Sequence, residues 1–144
     1  MQTTLIETQA TKMEAVKALG VLSAFMGARQ LRYVADLMRG EEKQFYFDKL
    51  VELANVVQTM PKSYETDGQG LDAIVHLHYF VNSVDLFITE RDMEPEQFQA
   101  YGLADLFGDG GEIGYINIVE ATQAGAELDF HWTPKTLREV RASR

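Results

Sequence analysis

The sequence predicts an α+β protein, with N-terminal helices packed on a four- to five-stranded, mainly antiparallel sheet and a short C-terminal helix. Three observations lead there. Apolar residues recur at helical spacing up to residue 60. From residue 73 they alternate with a period of two, and short Gly, Asn, Asp and Pro turns separate the alternating runs. Helices grouped before strands place the helices on one face of an antiparallel meander.

Residues 12–60 form the helical part. Met13, Val16, Leu19 and Leu22 repeat near helical spacing. Leu31, Val34, Leu37 and Met38 make a second stripe that ends at Gly40. A third helix is expected over 41–59, with Phe45, Leu50, Leu53, Ala54 and Val57 inward. Its acidic start, Glu41 and Glu42, suits the positive end of a helix dipole. Pro61 stops it, because the residue before proline is pushed out of the helical region. The polar first ten residues are expected to be loose, and 61–72 to be a Gly/Asp-containing linker.

The strands follow. Val75, Leu77 and Tyr79 alternate with Ile74, His76, His78 and Phe80; then Val84, Leu86 and Ile88 alternate with Asp85, Phe87 and Thr89. Asn82-Ser83 is the tight turn between them. Residues 91–99 read as a surface loop with a proline. Further strands are expected over 100–107, 113–119 and 127–132, separated by the 108–111 turn and by Ala124-Gly125. Pro134 opens a short helix over 135–141. The three parts, 12–60, 73–132 and 134–142, make one domain of 1–144, since 144 residues is an ordinary single-domain size.

Composition narrows the class. With 46% hydrophobic and 10% aromatic residues, the chain has enough apolar mass for a core. No cysteine is present, which removes thiolate chemistry and Cys-type zinc sites and fits a reducing compartment. The N-terminus has no basic segment followed by an unbroken apolar one, and the apolar stretch 19–26 is too short to span a bilayer. A cytoplasmic protein with no membrane contact is therefore expected. Net charge is −9, unevenly spread. Residues 1–62 carry eight Lys/Arg against seven Asp/Glu, whereas 63–144 carry five against fifteen. Arg91 is the one basic residue between Ser63 and Asp129. Such a region repels a phosphate backbone and attracts basic proteins or cations; it also serves simply to keep a small protein dissolved.

Several residues are candidates for chemistry. His76 and His78 share one face of a predicted strand, and Asp129 and His131 share a face of another. Convergence of the four would suit zinc or another divalent metal; otherwise they are hydrogen-bonded strand side chains, and no cofactor is expected. Asp85, Glu90, Asp92, Asp105 and Glu112 lie at strand ends and turns, where they form a candidate interaction surface. The 108–111 turn lacks the Lys-Ser/Thr of a phosphate loop. Tyr79, Phe80, Phe87, Tyr101, Tyr115, Phe130 and Trp132 are numerous for one sheet and read as packing or a protein-binding face, since acidic surroundings disfavour base stacking. Arg29, Arg32, Arg39, Lys43 and Lys49 are interleaved with acids, which disfavours direct nucleic-acid binding.

The order Leu77-His78-Tyr79-Phe80, Ile88-Thr89-Glu90, Gly102-Leu103-Ala104-Asp105, Glu112-Ile113-Gly114-Tyr115-Ile116, Glu127-Leu128-Asp129 and Trp132-Thr133-Pro134-Lys135-Thr136-Leu137 resembles a family of short proteins from plasmids, phages and integrative elements, known as a domain of unknown function. The match spans about residues 73–137 and departs at Leu86, where an aromatic is expected. The resemblance implies a mobile-element origin and assigns no catalytic residue. The resulting expectation is a non-enzymatic interaction protein whose acidic sheet region engages a basic partner, one version being an inhibitor of a host defence nuclease. A nucleic-acid accessory factor for plasmid maintenance or transfer and a metal-dependent hydrolase centred on His76 and His78 are the alternatives.

Overall fold

Thr11 opens the first helix through a reciprocal capping box. Its hydroxyl accepts from the Glu14 N–H at 3.1 Å, and the Glu14 carboxylate accepts from the Thr11 N–H at 2.8 Å. The computed structural model describes residues 9–144; most of the polar N-terminal segment lies outside the described residues. Three helices follow: α1 (Lys12–Leu22), α2 (Ala28–Leu37) and α3 (Lys43–Thr59). The buried face of α1 is Ala15, Ala18 and Leu22, not the stripe expected from Met13 and Val16, which are 71% and 53% exposed. Small side chains there let α1 pack closely on α3, so the bulkier neighbours turn outward. On α3 the expected Leu50, Leu53, Ala54 and Val57 are buried, but Phe47 takes the inward position in place of Phe45, which is exposed.

The remaining elements are β1 (Ile74–Val75), β2 (Leu77–Val81), β3 (Val84–Glu90), β4 (Ala100–Asp105), β5 (Glu112–Ile116), α4 (Ile118–Gln123), β6 (Glu127–Leu128), β7 (Lys135–Thr136) and α5 (Leu137–Ala142). The main sheet is antiparallel in the order β5-β4-β3-β2-β6, and β1 pairs with β7 as a separate ribbon. The α+β class therefore holds, with helices first and a short helix last. Three strand expectations are corrected. Residues 74–80 are split at His76 between the ribbon and the sheet. Residues 113–119 divide at Asn117, whose side chain accepts from the Glu120 N–H at 2.9 Å and starts α4. The strand expected over 127–132 stops at Leu128, because the Asp129 carboxylate turns back to accept from the His131 N–H at 2.8 Å.

Alternation places Leu77, Tyr79, Leu86 and Ile88 on one face, against the N-terminal helices. Tyr79 is fully buried there, and its hydroxyl donates to the Phe25 carbonyl at 2.5 Å; burial pushes this phenol upward. On the opposite face Phe87 and Leu103 meet Val75, Leu137 and Val140, so α5 and the ribbon cover part of that side. The sheet is thus packed on both faces rather than one. The 61–72 segment is also more than a linker. The Glu90 carboxylate, buried at the end of β3, accepts from the N–H groups of Tyr64 and Thr66 at 2.9 and 3.0 Å and from the Thr66 hydroxyl.

Gly102 sits where β4 crosses β3, and a Cβ added there would lie 1.9 Å from the Phe87 carbonyl oxygen. Its partner on β5, Gly114, has nothing within 4 Å of an added Cβ. Gly102→Ala should therefore cost about 1–3 kcal/mol or more from overpacking, whereas Gly114→Ala should be neutral or gain about 0.5–1 kcal/mol from reduced chain entropy. Urea unfolding of the two variants measures the contrast, and equal effects would contradict this packing.

Candidate functional site

The densest polar cluster lies on the α5 side of the sheet. Asp85 and Asp105 are direct cross-strand partners on β3 and β4. Like charges in that position destabilise a sheet. Arg144 relieves the conflict: its guanidinium reaches Asp105 Oδ2 at 2.6 Å and Asp85 Oδ2 at 3.0 Å, while lying over the Phe87 ring at 5.3 Å. Asp85 also meets His78 Nε2 at 2.7 Å, and His78 Nδ1 meets Asp129 Oδ2 at 2.9 Å. The imidazole stacks on Phe87, its cross-strand partner, at 4.9 Å and contacts Trp132 at 5.1 Å. With a carboxylate at each ring nitrogen, both bonds form together only when both nitrogens carry protons. A small cavity of about 140 Å³ borders His78, Lys135 and Arg144.

This geometry does not assemble the expected metal set. His78 and Asp129 meet, but each ring nitrogen of His78 is already held by a carboxylate. His76 is half-buried between β1 and β2, where burial lowers its affinity for a proton. His131 contributes its backbone N–H to Asp129, while its ring stacks on Phe45 at 5.8 Å. Among the described residues no group of three or more His, Asp or Glu side chains is placed to hold a metal ion. The four expected residues are therefore not gathered into one site among the described residues.

The expected acidic interaction surface is also rearranged. Glu90, Asp92 and Asp105 are buried and Asp85 is half-buried. Asp92 accepts from the N–H groups of Glu94 and Gln99, so it organises its own loop. Of the five residues, Glu112 alone remains exposed. Other acids of this region do face outward: Glu65, Asp67, Asp72, Glu94, Glu96, Asp109, Glu120 and Glu127. Of these, Asp72 pairs with Arg138, while Glu65, Asp67, Glu94, Glu96, Asp109, Glu120 and Glu127, like Glu112, have no ion-pair partner among the described residues. On the helical side, Arg39 pairs with Asp36 and Lys49 with Glu52, as a mixed solvated face would.

One constellation was not legible beforehand. Tyr101 and Tyr115 are cross-strand partners on the outer face of β4 and β5, with ring centroids 5.5 Å apart and edge to face. Tyr64, from the former linker, brings its hydroxyl to 3.5 Å from that of Tyr115. Tyr64 and Tyr115 are 60% and 59% exposed. Tyr64 has φ of 74°, a left-handed conformation that costs a bulky residue about 1–3 kcal/mol. The bond from its N–H to Glu90 holds it there. The Tyr64 hydroxyl, its charge and burial, together with Tyr101 and Glu90, raise the Tyr115 phenol above its ordinary value. Elsewhere an open groove of about 870 Å³ runs between the start of α2 and the α4–β6 connection, lined by Arg29, Gln30, Tyr33 and Thr122 among others.

No protein-family model, curated protein or solved structure matches the chain.

The carboxylate clamp has a definite pH signature. Burial by itself pushes the Asp105 carboxyl up, but Arg144 and the N–H groups of Gly108 and Gly110 outweigh it and hold it below the usual range. A depressed folded value means that its stabilisation is complete above the unfolded carboxyl value and is lost as pH falls through the folded one. Acid denaturation curves below about pH 4 should therefore be shallower for Asp105→Asn than for the parent. Arg144→Ala should lower the melting temperature at pH 7, since it leaves two opposed carboxylates unbridged. Identical acid limbs in parent and Asp105→Asn would contradict the assignment.

Proposed function

We propose that the protein is a non-enzymatic interaction module of a mobile genetic element, and that it binds a basic protein partner through the acidic surface around the β4–β5 hairpin. The observation carrying this reading is the division among its acids. Those turned inward are consumed by Arg144, His78 and backbone N–H groups. Glu94 and Glu96 precede β4, Asp109 lies in the hairpin turn and Glu112 begins β5; none has an ion-pair partner among the described residues. Unpaired exposed carboxylates on a chain of net charge −9 steer cationic surfaces toward them and repel phosphate backbones. The internal engagement of both His78 nitrogens supports a structural role for the half-buried His78–carboxylate cluster, rather than a proton-transfer role. The mobile-element assignment rests on the sequence resemblance. A host defence nuclease, whose substrate groove is cationic, is a partner that such an element would benefit from blocking.

Affinity capture with the full chain tests this reading. At low salt it should retain a basic protein from extract of a cell that carries the element, and rising salt should release it. A variant with Glu94, Glu96, Asp109 and Glu112 all changed to Gln or Asn should lose that capture while keeping its melting temperature. Equal capture by the variant, or recovery of nucleic acid with no protein, would overturn the proposal.

A further inference from the structure

The two edges of the main sheet are finished differently. At the β6 edge, the Gln30 side-chain amide acts as a short strand: its Nε2 donates to the Leu128 carbonyl at 2.9 Å and its Oε1 accepts from the Leu128 N–H at 2.9 Å. That edge is closed. At the other edge, β4 is the only strand that pairs with β5 among the described residues. β5 contains no proline, pairs with β4 in regular register without a bulge, and carries one charged residue, Glu112. Open edges of this kind are templates for an added strand.

Beside the open edge stands the tyrosine group. Tyr115 belongs to β5 itself, Tyr101 is its cross-strand partner, and Tyr64 is held alongside in a conformation unfavourable for a bulky side chain. Backbone strain retained at an exposed aromatic residue points to a functional use of that side chain. Exposed tyrosine faces near carboxylates attract guanidinium and ammonium groups.

We infer that β5 receives an extended, lysine- or arginine-bearing segment of a partner protein as a sixth strand, whose main chain pairs with the β5 edge while a cationic side chain lies against Tyr64 and Tyr115. The inference rests on the basic-partner reading above and specifies where and how the partner docks. Charge selects this occupant over a second copy, because self-pairing would join two chains of net charge −9 along an edge that carries Glu112. A cationic strand meets complementary charge there instead.

The probe is an end-capped octapeptide alternating lysine and threonine, compared with a glutamate–threonine counterpart and with a lysine–threonine peptide N-methylated at alternate backbone nitrogens. N-methylation keeps the charge and removes strand pairing. The lysine peptide should bind the full chain and slow amide exchange over residues 112–116, whereas the other two should not. Tyr115→Ala and Tyr64→Ala should each weaken binding about fivefold, with circular dichroism confirming the fold; Tyr64→Gly, which suits the backbone, should lose as much affinity as Tyr64→Ala. Equal binding by the N-methylated peptide, or protection confined to other residues, would overturn strand addition and leave the acidic-surface reading standing. The same holds if no peptide binds while capture recovers a basic partner. Concentration-dependent protection of β5 without peptide would make a second copy the occupant and refute the inference. Failure of both peptide binding and capture would remove both readings.

Discussion

Asp85 and Asp105 face each other across neighbouring central strands, where two like charges need compensation. Arg144 and His78 supply it. The guanidinium bridges the two carboxylates from above the Phe87 ring, and the imidazole ties Asp85 to Asp129 at the end of β6. A local electrostatic problem in the sheet is thereby solved by Arg144, beyond α5, and by His78 on the neighbouring strand β2. The same contacts hold the α5 side of the molecule in place. Replacing such a network with apolar residues is often no less stable, whereas removing one partner leaves a charge uncompensated. The cluster therefore fixes how the C-terminal elements dock more than it adds to stability.

That docking decides which parts of the sheet remain accessible. The N-terminal helices cover one face, and α5 with the β1–β7 ribbon covers the centre of the other around Phe87 and Leu103. Gln30 closes the β6 edge. What is left is the β4–β5 corner, with its tyrosines, its open edge and its unpaired acids. The Glu90 carboxylate links this corner to the rest, because it anchors the 64–66 turn to the end of β3 and so presents Tyr64 beside Tyr115.

Periodicity made the helices and the central hairpins readable. Leu77, Tyr79, Leu86 and Ile88 fall on the helix-facing side as alternation requires, and Asn82-Ser83 turns the chain between β2 and β3. Reading failed where short-range hydrogen bonds ended an element early. Asn117 and Thr136 are N-caps with a glutamate three residues on, a signal present in the sequence: Asn117 turns the end of an expected strand into α4, and Thr136 starts the expected C-terminal helix at Leu137, leaving Lys135 and Thr136 in β7. The buried stripe of α1 was misplaced because close approach to α3 favours alanine over larger side chains.

Sequence alone determined the class of fold, the change from helix to sheet near residue 73 and the excess of acids after it. These are properties of local spacing and composition, and no distant contact is needed to read them. Only the tertiary structure decided which acids point inward, because that depends on strand register and on where Arg144 lands, fifty-nine residues from Asp85. Only it gathered Tyr64, Tyr101 and Tyr115, since residues far apart in the chain become neighbours through strand pairing and a buried carboxylate. The histidines separated for the same reason: alternation put His76 and His78 on one face in principle, but the break between β1 and β2 sent them into different surroundings.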